Sequence, residues 1–99
     1  MDKTTLVIVS LPDPNGRAAL QQYVQGVMPL YRNIGGVVVK QSQFDELYAG
    51  NLFFTYLLIM DFPSKQALVD MFNGDAYQRL VPLRDQAFQK INISFANDM

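Results

Sequence analysis

Apolar side chains recur along this chain with two different periods. Residues 4–11, TTLVIVSL, are rich in β-branched types and read as a strand. The breaker cluster Pro12-Asp13-Pro14-Asn15-Gly16 ends it. Asp13 is placed to cap a helix with Pro14 at its first position, where the missing N–H costs nothing. Leu20, Tyr23, Val24, Val27, Met28 and Tyr31 follow at the spacing of one helix face. Pro29 falls inside that pattern and is expected to kink or loosen the last turn. Residues 33–36 hold the helix stop, and residues 37–44 read as a second strand. A polar connector, DELYAGN, leads into residues 52–62, the most apolar strand. Ser64 is expected to cap a helix carrying Ala67, Leu68, Met71 and Phe72, which Asn73-Gly74 stops. Asp75 is expected to cap a further helix over residues 76–88. Residues 90–96 set Ile91, Ile93 and Phe95 against Asn92 and Ser94, the alternation of a half-buried strand.

The order β-α-β-β-α-β predicts an α+β, ferredoxin-like fold with one four-stranded antiparallel sheet, residues 1–99 forming a single domain. Right-handed crossovers put both helical segments on one side of the sheet. The other side should then alternate polar with apolar if it meets water. The third strand does not: Phe53, Leu57 and Ile59, with Thr55, oppose Phe54, Tyr56, Leu58, Met60 and Phe62. The first strand repeats this, Leu6 and Ile8 against Val7, Val9 and Leu11, and the second does so weakly, Val37 and Val39 against Val38. An apolar sheet face exceeds the few hundred Å² that soluble monomers usually expose. The expected cover is a second copy related by a two-fold axis, a homodimer through the open face.

Composition narrows the chemistry. The 99 residues contain no histidine, cysteine or tryptophan. Thiol nucleophiles, disulfides, His general bases and zinc sites built on Cys or His are thereby excluded. No metal site and no cofactor is expected. Net charge is −1, and no Lys or Arg interleaves with the aromatics of the third strand, so neither nucleic acid nor an anionic membrane is an expected partner. No apolar run approaches the roughly 20 residues of a membrane helix, and the expected compartment is the cytoplasm.

Few residues remain that carry chemistry. On a helical projection from Ala76, Arg84 lands inside the apolar arc. A guanidinium there is paired, for example with Asp61 or a carbonyl, or it clamps an anion in a cleft between helices and sheet, or it snorkels to solvent. Asp61, the one acid ending a strongly apolar strand, is the candidate for proton transfer, against a structural pairing role. Tyrosines 23, 31, 48, 56 and 77 are possible donors in a pocket, although Tyr23 and Tyr31 lie on the core stripe of the first helix.

The stretch Asp61-Phe62-Pro63-Ser64, then Ala67, Phe72, Tyr77-Gln78 and Pro82-Leu83-Arg84, resembles the family called domain of unknown function thirteen-thirty. Tyr31 and Gly35-Gly36 resemble its first-helix end and next strand start. The chain departs from the family pattern at Ala49-Gly50, where Glu-Gly is usual, and at Asp61, where Glu is commoner. The resemblance implies the dimeric α/β barrel superfamily, in which two sheets pack face to face. It implies no established activity. Superfamily relatives include haem-degrading and quinol monooxygenases and muconolactone isomerases; members that bind haem through His have no counterpart here.

The function expected from these features is binding or transformation of a small carboxylated or aromatic metabolite in a pocket between sheet and helices. Arg84, Tyr77, Tyr56 and Tyr23 are the ligand-binding candidates, and Asp61 is the catalytic one. Catalysis and plain binding both fit these residues. The alternative is a non-catalytic homodimeric assembly or ligand-sensing module.

Overall fold

The computed structural model describes residues 2–51 and 54–99. Its elements run β1 (Thr4–Pro12), α1 (Arg17–Asn33), β2 (Val37–Gln43), β3 (Tyr56–Phe62), α2 (Lys65–Asn73), α3 (Asp75–Gln78), α4 (Val81–Ala87) and β4 (Phe88–Ala96). The four strands form one antiparallel sheet in the order β2-β3-β1-β4, which is the ferredoxin-like arrangement. Extents of 36 × 34 × 17 Å fit one sheet carrying a single helical layer. Among the described residues no helix is long and apolar enough to cross a membrane.

Strand parity divides the apolar residues as their alternation requires. Thr4, Leu6, Ile8 and Ser10 of β1 are buried, while the residues between them are half-buried. Leu6 pairs with Met60 and Phe95, and Ile8 with Leu58 and Ile93. This side meets Tyr23, Val27 and Tyr31 of α1, Leu68 of α2 and Tyr77 of α3 in one core. On the opposite side Val7 pairs with Ile59 and Val9 with Leu57. Lys90, Asn92 and Ser94 flank that apolar centre from β4, and Lys40 and Ser42 flank it from β2. The helix-free face therefore has a greasy middle and polar margins.

Several boundaries differ from the sequence expectation. α1 begins at Arg17 after Gly16, not at Pro14. Asp13 spends its carboxylate on the Asn15 N–H at 2.8 Å, and its carbonyl accepts from Gly16, so the chain turns before the helix starts. The other end agrees with the expectation: α1 carries Pro29 inside it and stops at Asn33. β3 starts at Tyr56 rather than at residue 52; Leu52 and Phe53 lie outside the described residues. The long last helix is two short ones, because Pro82 sits in the first turn of α4 and lacks the N–H that would continue α3. Gly74, not Asp75, is the cap position before α3, and Phe88 already belongs to β4. Ser64 caps α2 as expected, its Oγ accepting from Ala67 N–H at 3.0 Å.

Candidate functional site

A cleft of about 840 Å³ lies between α1 and the sheet. Ile8 and Ser10 of β1 with Tyr56 and Leu58 of β3 supply one wall, and Tyr23, Val24, Val27 and Tyr31 of α1 supply the other. Phe88 and Ile91 of β4 add apolar surface, while Gln41 and Gln43 of β2 add polar groups. Val24 and Tyr56 are 44% and 43% exposed and mark the mouth. A mostly apolar concavity of this size with a few convergent polar groups is what small-ligand sites look like.

Behind one wall stands a polar cluster. Gly26 lets α1 approach the turn between α3 and α4 closely, since a Cβ there would come 2.6 Å from Leu80 Cδ2. That approach brings Tyr23 beside Tyr77, their hydroxyls 2.9 Å apart. Arg84 Nη1 donates to Tyr77 Oη at 3.1 Å, and the guanidinium carbon lies 5.9 Å from the Tyr77 ring centre. Tyr31, 1% exposed, has a buried hydroxyl with no hydrogen-bond partner among the described residues. Arg84 Nε is likewise buried without a hydrogen bond; the Asp85 carboxylate, 3.7 Å away, forms only a loose ion pair. Burial pushes the Tyr23 and Tyr31 phenols far above their usual pKa of 10.0; the neighbouring phenols add to the rise at Tyr23, whereas at Tyr31 the Tyr77 phenol adds to it and Tyr23, as a donor, works against it. Burial opposes the charge on Arg84, but the Tyr77 hydrogen bond and nearby groups outweigh it, and its pKa rises.

Of the sequence candidates, Tyr23 and Tyr56 line the cleft. Tyr77 and Arg84 do not; they stand one and two hydrogen bonds behind Tyr23. The seven-residue separation of Tyr77 and Arg84 still brings them together although the helix between them breaks. Asp61 is elsewhere. It is exposed and accepts from Thr5 Oγ1 at 2.8 Å, and its strand parity places it on the helix-free side. Asp61, one example of a partner for Arg84, lies on the helix-free side, and among the described residues the ion pair of Arg84 is the loose one with Asp85. Tyr48 is fully exposed on the connector. Ser10, Gln41 and Gln43 also line the cleft, and their only signal in the sequence is a polar side chain at a strand position that parity turns toward the helices.

A family model described as "Domain of unknown function (DUF1330)" matches residues 4–97. RPA0582 from Rhodopseudomonas palustris, a protein of unknown function, is 21% identical with a TM-score of 0.88, over 99% of this chain and 83% of that one. A dimeric ferredoxin-like protein of unknown function from Jannaschia sp. CCS1 is 11% identical with a TM-score of 0.71, over 97% and 99%. A dimeric protein of ferredoxin-like fold from Bacteroides fragilis is 7% identical with a TM-score of 0.61, over 97% and 96%. At these identities the likeness shows the fold. No curated protein matches the sequence.

Proposed function

From the premise that this chain belongs to the DUF1330 family, we propose that it is a homodimeric protein binding a small carboxylated or aromatic molecule in the cleft between α1 and the sheet. The cleft itself carries the reading: about 840 Å³, walled mainly by aliphatic and aromatic side chains, and open at Val24 and Tyr56. The dimer rests on the helix-free face, where Val7, Val9, Leu57 and Ile59 form an apolar centre within a polar margin. That division into core and rim is the anatomy of protein interfaces. Two structural neighbours, those from Jannaschia and Bacteroides fragilis, are themselves described as dimeric. Face-to-face packing of two sheets leaves both clefts on the outside of the pair, each under its own helices.

Thermal denaturation against a panel of small aromatic and carboxylated metabolites tests the cleft. A ligand at 100 times its Kd should add about 2.7 kcal/mol of stability. Val24→Trp, which fills the mouth from a half-exposed position, should abolish that gain while leaving the unliganded protein as stable as before. A stabilising ligand that ignores Val24→Trp places binding elsewhere. A panel in which nothing binds leaves the dimer as the protein's purpose, the assembly alternative.

A further inference from the structure

The cluster behind the cleft is short of acceptors. A guanidinium only donates, so Tyr77 Oη must be the acceptor of its bond with Arg84 Nη1. Tyr77 then has one proton to place. Its only other hydrogen-bond neighbour among the described residues is Tyr23 Oη at 2.9 Å, so the phenol of Tyr77 donates to that of Tyr23. The opposite direction would give Tyr77 two donors and leave its own proton, in a buried site, with nowhere to go. The Tyr23 proton is thus the free end of a chain that starts at a cation; it faces the neighbouring Tyr31 hydroxyl, on which Tyr23 acts as a donor although no well-formed hydrogen bond joins the two. The buried Tyr31 hydroxyl is a second group without a partner, and both tyrosines line the cleft. The nearest carboxylate, Asp85, is on the far end beside Arg84 Nε and is mostly exposed. A chain of hydrogen bonds anchored on a charge polarises each member, so its terminal donor is stronger than a lone phenol.

We propose that Tyr23 is the specificity-determining donor of the cleft, polarised by Arg84 through Tyr77, and that with Tyr31 it selects ligands presenting a carboxylate or carbonyl oxygen over ligands presenting an amine. This rests on the cleft being the ligand site. Tyr23 touches the ligand; Tyr77 and Arg84 are positioning residues that act through it. An ammonium group would bring three more donors to a place already lacking acceptors, close to a guanidinium, and is rejected.

Three naphthalenes of similar shape test this by calorimetric titration at neutral pH: 2-naphthoate, 2-naphthylmethylammonium and 2-methylnaphthalene. The native protein should bind the naphthoate about 10- to 100-fold more tightly than the ammonium, the range of a charge-assisted hydrogen bond. Tyr23→Phe should cut the naphthoate-to-methylnaphthalene affinity ratio about tenfold or more. Tyr77→Phe and Arg84→Gln should lower the same ratio by smaller factors, and Arg84→Lys should restore part of it, which a purely structural role would not do. Methylnaphthalene binding with no preference for the naphthoate in the native protein overturns the donor chain and spares the cleft. So does a ratio untouched by Tyr23→Phe. Binding of none of the three removes the cleft as a ligand site, and the proposal falls with it.

Discussion

Above about pH 10 this protein should lose stability faster than its exposed groups account for, because Tyr23 and Tyr31 cannot ionise without leaving the core. In the unfolded chain both phenols release their protons near the ordinary value of 10.0, whereas burial holds them protonated in the fold. The folded pKa is the raised one. The corresponding stability is therefore whole below pH 10 and drains away as pH climbs toward the native values. Each phenol lowers the free energy of the unfolded state by RT ln(1 + 10^(pH − 10)), which grows by about 1 kcal/mol per group between pH 10 and 11 and by about 2 kcal/mol for the pair. A domain with a total stability of about 5–15 kcal/mol registers such a loss clearly. Urea unfolding at one fixed protein concentration, at about pH 9, 10 and 11, measures it through the midpoint and slope. Tyr23→Phe and Tyr31→Phe should each remove roughly half of the excess loss, about 1 kcal/mol over the last interval. Variants that decline as steeply as the native protein would refute the reasoning, since the phenols would then ionise as readily inside the fold as outside it.

Ser64→Ala removes both the oxygen that accepts from Ala67 N–H and the hydroxyl that donates to Asp2, and should cost about 1 kcal/mol in urea unfolding. Gly16→Ala drives a methyl group into the Gln86 main-chain carbonyl, where backbone and not a flexible side chain must yield; a loss of about 1–3 kcal/mol is expected by the same assay. Ile59→Lys puts a charge at the centre of the helix-free face. By sedimentation equilibrium the native protein should run at twice its 11.2 kDa chain mass and the variant at the chain mass.

The fold was legible wherever local chemistry and tertiary packing agreed. Alternation in β1, β3 and β4 announced two distinct sheet faces, and the register confirms that Leu6 and Val7 belong to opposite ones. Ser64 was readable because a side-chain cap is a local bond. Asp13 misled because the same carboxylate serves a turn as readily as a cap, and Asn15 claimed it. Pro29 and Pro82 show one residue type with two outcomes: α1 carries the first, held by the core contacts of Tyr23, Val27 and Tyr31, while α4 restarts at the second. The site was only half legible. A seven-residue separation joined Tyr77 to Arg84, but nothing local indicated that Tyr23, 54 residues earlier, completes the chain. Asp61 stands apart from the cleft for a reason that polarity alone does not carry: its parity puts it on the side of the sheet shared by Val7 and Ile59, away from α1.

Titration of isotope-labelled protein with 2-methylnaphthalene, followed amide by amide in solution NMR, tests the assignment of one face to a ligand and the other to a partner copy. Shifts should gather at Ser10, Val24, Val27, Tyr56 and Ile91 around the cleft. Shifts confined to Val7, Val9 and Ile59, across the sheet, would contradict it.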